Sequence, residues 1–295
     1  MRLSANENPY GPSSQAHAAM NNSFDVCCRY PDEANDILIE KIAKINGVNR
    51  EQIVLGDGSS EILKLCAESF TGPTQGKLIA ADPTFEAILE YSKANGGEVV
   101  KVPLTADFHH DLAKMGAAAQ KGLIYICNPN NADSPEYESV IPLVKDHPNL
   151  VVARTFSKIY GMAGLRCGYC VAQPETIKRM HPFQMWDSVN IMALAAASAS
   201  LDDVDQVNNG RKLTSEAKSF TTSELDKMGY KLIPSQANFI MFDCKRPVVP
   251  IIKAMKERNV QVGRLFPALP NHMRVTIGKK SEMEAFVSAF RQVMA

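Results

Sequence analysis

Between about residue 35 and residue 172, short apolar runs rich in β-branched residues alternate with stretches whose apolar residues recur at helical spacing. That alternation restricts the fold more than any other feature, because strand, helix, strand order feeds a mainly parallel sheet covered by helices. Ile37, Leu38, Ile42 and Ile45 mark a helix, and 52–55 reads as a strand stopped by Gly56-Asp57-Gly58. Ser59 then stands where a helix N-cap is expected, ahead of Ile62, Leu63, Leu65, Cys66 and Phe70. A strand at 77–81 leads to a helix that Phe85 opens and Gly96-Gly97 closes. Strands follow at 98–102, 123–127, 150–154 and 166–172. Beyond residue 203 the texture changes to a polar helix over 203–228, strands at 238–242 and 273–277, and a helix at 250–258. The expectation is an α/β protein with an N-terminal arm (1–30), a large domain (31–204) and a smaller α+β domain (205–295) framing a cleft.

Composition removes several function classes. The 295 residues hold 32 basic and 32 acidic side chains, so a nucleic-acid surface built on net positive charge is not expected. The longest weakly polar stretch, 191–201, falls well short of the ~18 residues of a membrane span. No apolar h-region follows Met1, and a cytoplasmic protein is expected. Seven scattered cysteines read as reduced thiols. Cys167 and Cys170 have CxxC spacing, but in a strand residues three apart point to opposite faces. His109-His110-Asp111 lacks a second cluster, so no metal site is expected.

The chemistry gathers at strand ends. Thr155-Phe156-Ser157-Lys158 follows the strand at 150–154, and Arg166 comes eight residues later. An amine at a strand end can be desolvated, which lowers its pKa and makes it a nucleophile toward an aldehyde. The Ser157 hydroxyl and the Arg166 guanidinium together suit a phosphate. Upstream, Ser59 and Ser60 lie where a helix N-terminus attracts the same group. Asn128 follows another strand end and can donate to a phenolate oxygen; alone it reads equally as a turn. Phe85 sits at the same edge and could stack on a heteroaromatic ring, though a lone aromatic would be core. Arg274 alternates with Met273, Val275 and Ile277, which places it on the other strand face, as a carboxylate receptor if that face lines the cleft.

These are the parts of pyridoxal 5′-phosphate (PLP) chemistry. The chain resembles the fold-type I PLP-dependent aminotransferases, most closely their histidinol-phosphate aminotransferase-like branch. The segments that carry the resemblance are Asn6-Glu7-Asn8-Pro9-Tyr10-Gly11, Arg29-Tyr30-Pro31, Gly58-Ser59-Ser60-Glu61, Pro83-Thr84-Phe85, Asn128-Pro129-Asn130-Asn131, Thr155-Phe156-Ser157-Lys158, Gly164-Leu165-Arg166-Cys167-Gly168-Tyr169, Ala237-Asn238-Phe239 and Arg274-Val275-Thr276-Ile277-Gly278. They run in family order over nearly the whole chain. The resemblance implies that Lys158 is the Schiff-base lysine and proton shuttle, and that Ser157, Arg166, Ser59 and Ser60 form the phosphate cup. It implies Asn128 at the phenolate oxygen, Phe85 on the ring, and Tyr30 reaching the phosphate of a neighbouring subunit in a homodimer. Arg274 would receive the substrate carboxylate, with Tyr10 and Arg264 toward the substrate's distal end.

One departure stands out. The family places a further helix and strand between the Asn128 turn and the Lys158 strand, the strand ending in an aspartate that pairs with the pyridine nitrogen. Here about 22 residues separate the two strands, room for one crossover but not two. Neither Asp133 nor Asp146 ends an apolar strand, and residues are expected to be missing from this chain between Asn131 and Ala132. The reaction implied is ping-pong transfer of an amino group between an amino acid or histidinol phosphate and a 2-oxo acid. The alternatives are an amino-acid decarboxylase or cyclase of the same fold, or a non-catalytic PLP-binding protein if the ring-nitrogen aspartate is absent.

Overall fold

The structure, a computed structural model, describes residues 1–128 and 138–295. After α1 (Ser14–Asn22) and α2 (Asp32–Asn46) the chain alternates strand and helix: β1 (Ile53–Gly56), α3 (Gly58–Phe70), β2 (Lys77–Asp82), α4 (Ala87–Ala94), β3 (Val99–Pro103), α5 (Leu112–Ala118) and β4 (Gly122–Tyr125). The turn carrying Lys158 joins β5 (Val152–Thr155) to β6 (Gly168–Val171), and α6 (Pro174–Met180) and α7 (Ile191–Asp202) complete the large domain. The 24-residue α8 (Val204–Lys227) leads into β7 (Leu232–Ile233), β8 (Phe239–Asp243), α9 (Val248–Glu257), β9 (His272–Thr276) and α10 (Lys280–Met294).

Among the described residues the large domain holds two three-stranded sheets, β1-β6-β5 and β3-β2-β4. β2 pairs in parallel with β3 and β4, while β6 runs against both its neighbours, so β1 and β5 point the same way. The strands are read from sequence because parallel sheets bury both faces: Leu78, Ile79, Ala80 and Ala81 of β2 are all buried. Helix α3 lies over β1, β6 and β5 and reaches β4. Its apolar face, Ile62, Leu63, Leu65, Cys66 and Ala67, packs with Val54, Leu78, Ala80 and Cys170. Cys167 belongs to the cluster on the other side of the sheet, with Phe156 and Val171, as the strand geometry requires. Both thiols are free.

The small domain is an antiparallel sheet, β7-β8-β9, backed by α8, α9 and α10. Its core is aromatic: the Phe290 ring lies 5.1 Å from Tyr230 and 5.3 Å from Phe242, both edge-on. The first residues of the arm belong here rather than standing apart. Leu3 is buried in this core, its N–H donates to Gln261 O at 2.7 Å, and its carbonyl accepts from Thr276 N at 3.0 Å. Further along, α1 packs on α7 of the large domain, so the arm straps the two domains together.

Three local expectations need correction. The residue capping α3 is Asp57, not Ser59: Gly58, at φ +69°, turns directly into the helix and leaves Ser59 inside the first turn. Phe85 does not open a helix, because α4 begins at Ala87 with Glu86 as its N-cap. Arg166 lies outside β6 in the left-handed region, φ +60°, so the run at 166–172 is a strand only from Gly168.

Candidate functional site

Lys158 stands three residues beyond β5 because Phe156 anchors the turn. That ring is buried, its N–H donates to Cys167 O at 3.1 Å, and Gly161 N returns to the Lys158 carbonyl at 2.9 Å. The Lys158 amine opens onto the cleft and donates to Ala5 O at 3.3 Å. The surrounding protein still removes enough water to hold its pKa below the usual lysine value. Arg274 adds to that depression, Glu7 opposes it, and Arg166 pushes the same way as Arg274.

Register brings the other half of the site to the same level. Gly168 pairs with Gly56 on one side and Thr155 on the other, so the ends of β1, β6 and β5 are flush. A Cβ on Gly168 would lie 2.4 Å from Ser59 N, and one on Gly58 would lie 2.2 Å from Arg166 Nη2. The two glycines therefore let the guanidinium and the first turn of α3 close on the same point. Arg166 donates to Ala163 O at 3.0 Å, to Asp57 O at 3.3 Å and to Ser157 Oγ at 3.5 Å. Holding a non-glycine residue at positive φ costs about 1–3 kcal/mol, which the surrounding bonds must offset. Ser59 and Ser60 present first-turn N–H groups that a helix cannot satisfy itself. Ser157, Arg166, Ser59 and Ser60 thus come together, a cup of donors suited to a phosphate.

Arg274 faces this cup from β9, while Met273, Val275 and Ile277 fill the small-domain core. It donates to Ser4 O at 2.5 Å and lies 5.3 Å from the Phe266 ring and 5.7 Å from the Phe239 ring. Burial, then the nearby Arg264 cation, push its pKa down to about 10, with Glu86 opposing, so it stays charged at neutral pH. Its Nε is buried without a partner, a donor available to a ligand anion. Arg264 stacks over the same Phe266 ring at 4.3 Å and pairs with Glu86, a residue the sequence reading passed over although it directly follows Phe85.

Other expected site residues lie elsewhere or make no recorded contact with this group. Phe85 is 52% exposed on the large-domain edge beside Glu86. Asn128 is exposed beyond the end of β4, and Asn130, Asn131 and the junction at Ala132 lie outside the described residues, as does Asp133. Asp146 is exposed at the end of a 3-10 turn, not at a strand end. Tyr10 lies in a separate groove with Asn209, Gly210 and Leu213, its ring 5.9 Å from Lys279 Nζ. Tyr30 is 81% exposed in another groove, with Arg29, Trp186, Asp187 and Asn190. Asp111, of the His109-His110-Asp111 run, caps α5 by accepting from Lys114 N at 3.0 Å.

A desolvated amine at a strand end, a phosphate cup and a facing arginine together define a site for an aldehyde cofactor and an anionic substrate. Comparison with known proteins agrees. The model of the family "Aminotransferase class I and II" matches residues 1–134 and 132–290. The histidinol-phosphate aminotransferase of Moorella thermoacetica is 34% identical over 333 aligned positions, covering all of this chain and 86% of the relative. That of Symbiobacterium thermophilum is 35% identical, covering all of this chain and 90% of the relative. A crystal structure from Erwinia carotovora atroseptica, provisionally assigned as a histidinol-phosphate aminotransferase, superposes with a TM-score of 0.94 at 25% identity, covering 99% of this chain and 95% of the other. The chain belongs to the class I and II aminotransferases, and it is a PLP-dependent transaminase with the type I fold of that family.

The residues present fit the cofactor at two ends: the donors gathered beside Gly58 and Gly168 would suit its phosphate, and the Lys158 amine its aldehyde. With 333 aligned positions against 295 residues, at least 38 positions of the Moorella relative have no counterpart here, and the two family matches meet at 132–134.

The lowered pKa of Lys158 gives a direct prediction. A raised fraction of free amine should make reductive alkylation of Lys158 by a simple aldehyde rise with pH through a midpoint below the ~10.4 of an ordinary lysine. In Arg274→Leu, loss of a cation that disfavours the ammonium form should move that midpoint up. Peptide mass spectrometry against pH reads both, and a midpoint unmoved by the substitution would contradict the geometry.

Proposed function

We propose that the amino donor is histidinol phosphate or a biosynthetic amino acid, with a 2-oxo acid as acceptor, and that the reaction proceeds by ping-pong exchange at Lys158. The observation carrying this reading is the desolvated Lys158 amine lying between the cup at Arg166 and the receptor Arg274. Relatives at 34% and 35% identity named for histidinol phosphate support that donor. When bound, the cofactor supplies an aldehyde carbon for the amine and a ring that accepts electrons from the donor's Cα. Ser59, Ser60, Ser157 and Arg166 would hold the phosphate, with Phe85 at the ring and Asn128 at its phenolate oxygen. Arg274 would fix the donor's proximal anion, with Arg264 toward the distal end. Lys158 Nζ, its pKa lowered by the surrounding protein, would take the Cα proton and return it later in the transfer. The protein works in the cytoplasm.

Lys158→Ala should lower acceptor-dependent amino transfer by about 10²–10⁴ through the lost proton transfer alone. A panel pairing histidinol phosphate and amino acids with 2-oxo acids measures it. Product that forms without consuming the 2-oxo acid would point to decarboxylation or cyclisation instead.

The protein acts as a homodimer in which Tyr30 completes the partner's phosphate cup. Support comes from the exposed apolar side chain that shares a groove with that tyrosine, Trp186 at 93%. Sedimentation should give twice the chain mass, and Trp186→Glu should shift the population toward monomer; a monomeric parent protein would end the proposal.

The chain divides as arm 1–30, large domain 31–204 and small domain 205–295, and residues are missing between Asn131 and Ala132. Support for the break comes from the family matches meeting at 132–134 and from the two separate half-sheets. The intact protein should weigh several kilodaltons more than 32.4 kDa, whereas agreement with 32.4 kDa would place the loss in the protein itself.

A further inference from the structure

Two guanidiniums and a single carboxylate meet around the Phe266 ring. Arg274 comes from β9, Arg264 from the small-domain loop that precedes it, and Glu86 from the large domain, where it caps α4. Phe266 itself is buried, and the two arginines lie 4.3 Å and 5.3 Å from its centroid. Like charges this close repel: Arg264 lowers the Arg274 pKa, and Glu86 partly restores it. Glu86 is therefore the carboxylate that lets both arginines stand side by side while no substrate anion is there.

The pair it makes is weak by construction. The Arg264 and Glu86 side chains are 49% and 42% exposed, and an ion pair so open to water contributes little. Arg264 keeps a second anchor, donating to Leu265 O at 2.9 Å, so its guanidinium stays in place when Glu86 leaves. The Arg274 side chain, by contrast, is held among the described residues by the Ser4 carbonyl and its ring contacts, with no partner there for Nε. An incoming donor with one anionic group can occupy Arg274 without disturbing Glu86. A donor with a second, distal anion meets Arg264 already occupied by a carboxylate that can be displaced.

We propose that Glu86 is an internal counter-anion that holds Arg264 until a distal carboxylate or phosphate of the donor replaces it, so that Glu86 weakens binding of donors with a second anion relative to donors, such as histidinol phosphate, that carry one. The proposal rests on the cleft being the donor site, and it deepens that reading by assigning specificity to a residue of the large domain.

Calorimetric binding to the PLP-loaded protein tests this with three ligands: butyrate, with one anion; succinate, with a distal carboxylate; and 3-phosphonopropionate, with a distal phosphonate. Glu86→Gln should tighten succinate and 3-phosphonopropionate about fivefold relative to butyrate, the scale of an exposed ion pair removed as competitor. Arg264→Gln should abolish the preference of both dianions over butyrate. A greater gain for one dianion than the other names the distal group the site was built for. If Glu86→Gln changes all three ligands alike, or none, the proposal is overturned. The anion contrast reads Glu86 whether or not amino transfer is observed, so a failed transaminase assay with the contrast intact would sink the reaction assignment and spare this one.

Discussion

The absence of a side chain at residue 168 is the constraint on which the site depends. Because β6 begins with glycine, the strand passes so close to the first turn of α3 that a single added carbon would meet the Ser59 amide nitrogen at 2.4 Å. That closeness brings the ends of β1, β6 and β5 level, and each end delivers one part of the chemistry: the helix start after β1, Lys158 after β5, and Arg166 just before β6. Arg166 accepts a left-handed backbone to point back into the gap, and Gly58 has no Cβ to obstruct it. The start of α3 is remote in sequence from the other two, 109 positions separating Asp57 from Arg166, so their meeting is a property of the sheet register and not of any one motif.

The second half of the site depends on the N-terminal strap. Consecutive carbonyls do the work: Ser4 O accepts from Arg274 and Ala5 O accepts from Lys158. One extended segment, itself tied to the small domain through Leu3, therefore spaces the amine from the arginine across the cleft. These carbonyls offer the two cations hydrogen bonds without a full countercharge, and Glu7 is the acid that partly opposes the depression of the Lys158 pKa. An amine kept near cations and away from water is easier to deprotonate, which is the condition a nucleophile needs.

The sequence was most legible where one physical rule acted alone. Strand 77–81 sits within a residue of β2 because a buried parallel strand writes a continuous apolar run, and strand 98–102 within a residue of β3 through its valines. The positions of Ser157 and Lys158 after a strand, and of Arg274 opposite Met273, Val275 and Ile277, were legible from the apolar pattern around them. Boundaries set by backbone geometry were not: Arg166 looks like the first residue of a strand until its positive φ is known, and Ser59 looks like a cap because serine so often is one. Glu86 left no periodic or compositional trace at all, since its meaning comes from a loop 178 positions away. The strap was visible only as a polar motif, its carbonyl roles being invisible to any reading of side chains.

The least complete part of the molecule is the middle of the large domain. Leu123 and Tyr125 on β4, and Val151 and Ala153 at β5, pack into one shared apolar layer with α3, so on that face the two half-sheets behave as one. On the other face the layer is divided: Val152 and Phe156 join the cluster under α2 and α7, Ile79 and Val102 join a small separate cluster with Met115, and Ile124 and Ile126 are 41% and 43% exposed. Parallel sheets are stable when both faces are covered. A helix and strand of the kind the Moorella relative's 38 or more extra positions could encode would cover those isoleucines and pair the outer edges of β4 and β5, neither of which is paired among the described residues. The phosphate cup, Lys158 and Arg274 owe nothing to that region, because they are built from β1, β5, β6 and β9.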